Sequence, residues 1–348
     1  MNAPLTYTHD TAPEAGTAIS ILPGIEWICM PLPFALNHIN LWLLADGGDY
    51  PTKGFAAIDT GIATPDVRDA WQKILPGRTL TRSIVTHLHP DHVGNARWLE
   101  EKTGAPVWMS QGDYLTAKLI NAGASPFSIP DLINFLMQHG MGRDHADAFE
   151  KRGNAYKNGV PDLPGSYIQL LDNDVLRIGA HDWRTIVGYG HAAEHMSLYC
   201  DELHVLISGD MLLPRISTNI SVHPANPYAN PLKLFLDSID KFLALPADTL
   251  VLPSHGRPFR GLHGRVAALH QHHAERCEIL LKACHGQAHS AAEIIPALFE
   301  REFSDAHQTM FAMGEAIAHL NYLVHGGKMR RIDHHHPDYA PQTIRFIS

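Results

Sequence analysis

The heptapeptide Thr86-His87-Leu88-His89-Pro90-Asp91-His92 directly follows the apolar run Ser83-Ile84-Val85. Composition alone produces an H-x-H-x-D-H pattern about 0.008 times in a chain of this kind, so chance accounts for it poorly. A strand that ends in a loop and turns into a helix can point four side chains at one small volume. Imidazoles with a carboxylate are borderline ligands, suited to zinc, iron or manganese. Three histidines and an aspartate crowded together are costly without a cation to share. The heptapeptide therefore predicts a metal site at a strand end, with Asp91 and the three histidines as candidate ligands.

Working outward, the segment before it alternates short apolar runs with turn signals: Trp27-Ile28-Cys29-Met30, Ile39-Asn40-Leu41-Trp42-Leu43-Leu44 and Gly54-Phe55-Ala56-Ala57-Ile58. These read as strands of one sheet. Thr64-Pro65-Asp66 supplies a helix cap with proline at the first helical position, and Val67, Ala70, Trp71 and Ile74 follow at helical spacing. After the heptapeptide, a helix closes at Gly104 and a strand follows. Residues 111–165 are helical in pattern and rich in Phe, Ile, Leu and Met (Phe127, Ile129, Leu132, Ile133, Phe135, Leu136, Met137), and read as an inserted helical segment, either substrate lid or core. From Tyr167 a second series of strands begins, and from about Leu262 the pattern turns to helices, with Ser290 and Glu293 spaced as a capping box. The expected organisation is a flexible leader over 1–17, a domain over 18–261 carrying the 111–165 insertion, and a helical domain over 262–348 ending in a hairpin.

Three later strand-like runs end in candidate ligands, at Gly190-His191, Ser208-Gly209-Asp210 and Pro253-Ser254-His255. Each alone is weak, because a strand-end histidine is more often structural. Together with the heptapeptide they supply ligands for two ions.

The whole composition is that of a globular protein, with 45% hydrophobic and 18% charged residues among 348. No stretch gives the roughly 20 apolar residues of a membrane span. The first residues, MNAPLTYTHD, lack a cationic start and an apolar core, so a cytoplasmic address is expected. A net charge of −9 argues against holding a phosphate backbone and favours a small-molecule substrate. The four cysteines show no CxxC pair and read as reduced thiols. Histidines number 25, and those at 270, 272, 273 and 334–336 are expected on solvated faces.

Five stretches occur in an order that resembles the metallo-β-lactamase superfamily: Ala57-Ile58-Asp59-Thr60-Gly61, the heptapeptide, Gly190-His191-Ala-Ala-Glu-His195, Ile207-Ser208-Gly209-Asp210 and Leu252-Pro253-Ser254-His255-Gly256. The resemblance covers roughly residues 18 to 260. It implies an α+β fold, an αββα sandwich with a two-metal site at the sheet edge. It also implies that His87, His89 and His191 hold one ion, that Asp91, His92 and His255 hold the other, and that Asp210 bridges both. Between the two histidines of the third stretch, the family pattern puts the ligand at His191 rather than His195. Asp59 is implied to pin the ligand loop without being a ligand. The overall plan resembles the glyoxalase II-like branch and the group with a C-terminal, winged-helix-like domain. The loop after Asp210 lacks the Cys-Gly-Arg or Cys-Gly-Lys run of glyoxalase II, and Leu213 stands where the lactonases of the superfamily carry tyrosine.

The resulting expectation is a hydrolase of an ester, thioester or lactone that uses a hydroxide shared by two divalent ions, zinc first, with iron or manganese accepted by the same ligand types. Asp91 has the added role of carrying a proton. The substrate is expected to be partly apolar, and the C-terminal domain to serve packing or homodimer formation. The rivals are a two-metal nuclease acting on single-stranded RNA or another phosphodiester, disfavoured by charge, and a non-enzymatic metal-binding protein.

Overall fold

The computed structural model describes residues 5–47, 53–299, 306–333 and 343–348. Strand β1 (Thr6–Tyr7) precedes a meander of β2 (Ala18–Leu22), β3 (Ile25–Pro31), β4 (His38–Ala45) and β5 (Gly54–Ile58). After α1 (Pro65–Ile74) come β6 (Thr79–Ile84), the single turn α2 (Pro90–Val93), α3 (Ala96–Thr103) and β7 (Val107–Met109). Helices α4 (Gln111–Ala122), α5 (Ile129–Gln138), α6 (Arg143–Arg152) and α7 (Ala155–Gly159) follow. Next are β8 (Ile168–Gln169), β9 (Val175–Ile178), β10 (His181–Gly188), β11 (His195–Cys200) and β12 (Val205–Gly209). Helix α8 (Pro231–Asp240), β13 (Leu250–Pro253) and β14 (Phe259–Arg260) lead to α9 (Leu262–Ala283), α10 (Ala291–Phe299), α11 (Ala306–His325) and the pair β15 (Arg330–Ile332) and β16 (Arg345–Ile347).

The strands build two seven-stranded sheets, ordered β2-β3-β4-β5-β6-β7-β8 and β1-β14-β13-β12-β11-β10-β9. Their facing sides share one core, in which Trp27, Trp42, Leu44 and Ile58 of the first sheet pack with Trp183, Met196, Leu198, Ile207 and Leu252 of the second. The alternate residues Ile28, Leu41, Leu43 and Phe55 point the other way and are covered by Val67 and Trp71 of α1 and Leu99 of α3. Burial on both faces is why these strands read as near-continuous apolar runs. Thr64 caps α1, its hydroxyl accepting from the Val67 N–H.

Two pairings position the functional strand ends. β5 and β6 run parallel, as do β12 and β13, so each pair delivers its C-terminal ends side by side. Those ends are followed at once by Asp59 and Thr86 in the first sheet and by Asp210 and Ser254-His255 in the second.

Two placements differ from the sequence expectation. Within the stretch read as a leader, Thr6–Tyr7 pairs with β14, and a two-residue strand has too little pattern to be seen in sequence. Ile168–Gln169, read with the second strand series, instead pairs parallel with β7 and closes the edge of the first sheet.

Contacts divide the chain into two compact units. The first holds residues 1–121, 156–218 and 238–266, and the second 122–155, 219–237 and 267–348. The second therefore collects the middle of the helical insertion together with the C-terminal helices. There Ile133, Phe135 and Leu136 of α5 are buried, the Ile344 N–H donates to Gln138 O (2.7 Å), and the Ala292 N–H donates to His139 O (3.1 Å). Of the seven residues offered as lid or core, these three are buried, while Phe127, Ile129, Leu132 and Met137 are half-buried. The capping box at α10 is formed, with the Ser290 N–H donating to Glu293 Oε2 at 2.8 Å. The expected terminal hairpin is β15 with β16. His273 corrects the solvated-face reading: it is 1% exposed, on the same stripe of α9 as Val266, Leu269 and Cys277. His334 to His336 lie outside the described residues. Among those described, no helix is long and apolar enough to cross a membrane.

Candidate metal centre

Asp59, directly after β5, holds a positive φ of 64°, a conformation that costs a non-glycine residue energy and is kept only where the surroundings fix it. What fixes it is a set of hydrogen bonds. Asp59 Oδ1 accepts from the Thr86 N–H (2.7 Å), and Oδ2 accepts from the Thr86 hydroxyl (2.9 Å) and from His92 Nδ1 (2.8 Å). The Thr60 N–H and hydroxyl both donate to His92 O. The loop after β5 is thus stitched to the heptapeptide loop after β6.

Seven side chains converge next to this anchor in two groups. His87, His89, His191 and Asp210 form the first, and Asp91, His92 and His255 the second, with the ligand-type atoms of each group within 4.8 Å of one another. In the first group His87 Nε2 lies 2.9 Å from His89 Nδ1 and 3.1 Å from His191 Nε2, and Asp210 Oδ2 lies 3.5 Å from His191 Nε2. In the second, Asp91 Oδ2 lies 3.6 Å from His92 Nε2 and 3.4 Å from His255 Nε2. Asp210 Oδ1 lies 3.6 Å from His92 Nε2 and 3.5 Å from His255 Nε2. One carboxylate therefore turns one oxygen to each group.

The hydrogen-bonding of the rings decides what this centre can accept. His92 uses Nδ1–H on Asp59, and His255 uses Nδ1–H on the carbonyl of His38 (2.8 Å). In its neutral form each imidazole has one proton to give, so with Nδ1–H so engaged both Nε2 atoms would present bare lone pairs to carboxylate oxygens. His92 Nε2 and Asp210 Oδ1 are buried with no hydrogen-bond partner among the described residues. Acceptors facing acceptors in a buried cluster call for a cation, and imidazole with carboxylate is the donor set of a borderline divalent metal.

The electrostatics are those of a site that draws positive charge. Burial disfavours charge on His92, but the carboxylates of Asp59, Asp91 and Asp210 outweigh it and push His92 well above its usual range. Burial likewise opposes ionisation of Asp91, and His92 and His255 overcome it to hold that carboxyl down at about 2. In the three-histidine group, burial and the crowded neighbouring rings drive His87 well below its usual range and His89 to about 3, so both stay neutral. The rings of the first group and the carboxylates thus rest in the forms that ligate a metal, whereas His92 and His255 are drawn by the carboxylates toward the charged form, whose proton a bound cation would displace.

All seven residues singled out from the sequence, together with Asp59, are brought to this one place. His195 is not among the converging atoms. Its Nε2 accepts from the Asp210 N–H (3.1 Å), beneath Gly209, where φ is +53° and any Cβ would collide with the ring. Three residues escaped the sequence reading. Asp113, fully buried, accepts from the Leu88 N–H (3.1 Å) and the Glu194 N–H (2.7 Å); Glu194 accepts from the Gly112 N–H (2.7 Å); the Tyr156 hydroxyl donates to Leu88 O (2.7 Å). Ser110-Gln111-Gly112-Asp113 carries the S-x-x-D spacing of a helix cap, the one local signal for Asp113.

The family model for the metallo-beta-lactamase superfamily matches residues 51–255, and that for the metallo-beta-lactamase-like C-terminal domain matches 277–341. The chain belongs to the metallo-β-lactamase superfamily. Its similarity to a beta-lactamase domain protein from Burkholderia ambifaria runs through both parts, at 41% identity and a TM-score of 0.89 over 99% of this chain and 98% of that one. A metallo-beta-lactamase family protein from Thermus thermophilus is 27% identical, with a TM-score of 0.76 over 94% of this chain and 99% of the other. A hydroxyacylglutathione hydrolase from Pseudomonas fluorescens (strain SBW25) is 26% identical over 64% of this chain and 62% of that protein. This member of the superfamily is a glyoxalase II-like metallo-hydrolase, α+β in fold, with a C-terminal helical domain.

Proposed function

We propose that the chain is a binuclear metal-dependent hydrolase of a small, partly apolar ester, thioester or lactone. The observation that carries this is Asp210, whose two oxygens face two separate groups of ring nitrogens. His87, His89 and His191 with Asp210 would hold one divalent ion, and Asp91, His92 and His255 with Asp210 the other, zinc being the first choice for these ligands and iron or manganese acceptable to them. Such a pair of ions supplies Lewis-acid polarisation of an acyl oxygen and lowers the pKa of a water that attacks the acyl carbon. Asp91 turns Oδ2 to His92 and His255, which leaves Oδ1 to orient that water, take its proton and return it to the leaving group. Asp59 keeps the proton of His92 on Nδ1, and so keeps Nε2 free. The net charge of −9 fits a small substrate better than a polyanion.

The test is a screen of acyl thioesters, lactones, aryl esters and phosphodiesters with metal-replete full-length protein, alongside elemental analysis. The expected result is close to two divalent ions per chain, with acyl hydrolysis that a chelator abolishes and added metal restores. Hydrolysis indifferent to chelator, or cleavage confined to phosphodiesters, overturns the reading.

A further inference from the structure

Asp113 is a carboxylate buried to 0% exposure with no arginine or lysine paired to it among the described residues. An isolated buried charge is expensive, and here hydrogen bonds offset part of that cost. Its place in the first turn of α4 invites the reading of an ordinary helix cap, and Ser110 does serve that end, its Oγ accepting from the Asp113 N–H at 3.3 Å. The carboxylate accepts the Ser110 hydroxyl (3.2 Å) and also reaches beyond the helix start. Oδ1 takes the Leu88 N–H, the peptide between His87 and His89, and Oδ2 takes the Glu194 N–H, three residues beyond His191. Glu194 answers by accepting the Gly112 N–H at the positive end of α4. The Tyr156 hydroxyl grips the carbonyl of Leu88, in the next peptide. Every histidine of the first group therefore sits on a loop tied to the start of α4, while His92 and His255 are oriented by Asp59 and the His38 carbonyl, Asp59 reaching His87 only through the Thr86 hydroxyl (3.0 Å from His87 Nδ1).

We propose that Asp113 is a positioning residue that sets the spacing between the His87–His89 loop and the His191 loop, and so tunes metal affinity in the three-histidine half of the centre alone. The proposal rests on the two-metal reading above. It assigns each half its own buried acidic brace, Asp59 for one and Asp113 for the other.

The test is cobalt(II) titration of metal-free, full-length protein against a competing chelator, followed by the visible absorption bands of the bound ion, for wild type, Asp113→Asn and Asp59→Asn. An asparagine keeps the shape but can accept from only one of the two N–H groups, the other being left opposite an NH2. One binding step should weaken by about 10- to 100-fold in Asp113→Asn while the other stays within about threefold, and Asp59→Asn should weaken chiefly that other step. Equal weakening of both steps, or of neither, overturns the proposal. Amide hydrogen exchange on the metal-free chain gives a second readout. Peptides spanning 87–93 and 191–197 should exchange about tenfold faster in Asp113→Asn, with those spanning 39–45 unchanged. If wild type takes up no cobalt, the two-metal reading falls and the exchange result alone decides the clamp, unchanged exchange refuting it. Tyr156→Phe, which removes one bond to Leu88 O, is the milder variant should Asp113→Asn not fold, with about a threefold to tenfold weakening expected at the same step.

Discussion

His87 and His191 meet in the first unit with ring nitrogens 3.1 Å apart, and His273 and His319 meet in the second with ring nitrogens 3.0 Å apart. The two pairs are built for opposite ends. Around His87 stand further rings whose bare nitrogens face Asp91 and Asp210. Around His273 and His319 the bonding is a neutral relay: His319 Nδ1–H goes to the carbonyl of Glu315 (2.8 Å), its Nε2 accepts from His273 Nδ1–H, and no carboxylate pairs with either ring among the described residues. Phe235 packs edge-on to His273 at 5.9 Å. Burial, helped by the nearby His272, His270 and Arg276, pushes His273 down to about 2 and His319 to about 4, while Glu315 is itself pushed up to about 7 by burial. Burying histidines together does not make a metal centre. Carboxylates that leave each ring one bare, acid-facing nitrogen do.

Removing the acid from the first cluster is the strongest way to break this contrast. Asp210→Asn should lower kcat/KM by a factor of order 10³ and reduce metal content, because the bridging charge is lost to both groups. Retained metal and turnover within about threefold of wild type, with an unchanged melting temperature, would remove Asp210 from the centre.

The second cluster gives a pH test. Unfolded imidazoles protonate near 6.5, whereas the folded pair stays neutral to about pH 4 and about pH 2. Between those values the two rings bind more protons in the unfolded chain, so their contribution to stability falls as pH drops below 6.5, by up to about 1.4 kcal/mol per pH unit for each ring, while Glu315, raised to about 7, offsets one ring down to its unfolded range. Denaturant unfolding at pH 7, 6 and 5 should show this fall, and His319→Leu should flatten it. A variant whose slope matches wild type would show that the relay carries no titration cost. The smallest effect is expected in the site itself: His273→Leu should leave metal content and kcat/KM within about threefold of wild type, and a larger loss would mean that this pair serves the chemistry after all.

The sequence made the heptapeptide legible because its ligands are adjacent and end a clear strand, and the later ligands legible because each closes an apolar run. Asp113, Glu194 and Tyr156 were not legible, since their partners are backbone groups 25 to 82 residues away and the one local signal, the cap spacing at Asp113, points to the helix rather than to those partners. The positive φ of Asp59 was equally silent, being imposed by Thr86 and His92 rather than by its own neighbours. His273 was legible and misread. It falls in step with Leu262, Val266, Leu269, Cys277, Leu280 and Cys284, all buried, and that spacing outweighs the charge of the residues between them.

The pairing of β1 with β14 joins Thr6 and Tyr7 to Arg260 and Phe259. During synthesis the partner leaves the ribosome about 250 residues after β1, which at 5–20 residues per second is a wait of about 13 to 50 s. Through that interval the first sheet can assemble from its own meander, while the edge that β1 completes in the second sheet does not yet exist. His255 lies just upstream of that late edge, so the chain acquires its last candidate ligand in nearly the same moment that it gains the strand to close the sheet. A ribosome-stalled chain ending before residue 250 would carry the whole first group and Asp91 and His92 of the second, and lack His255 alone.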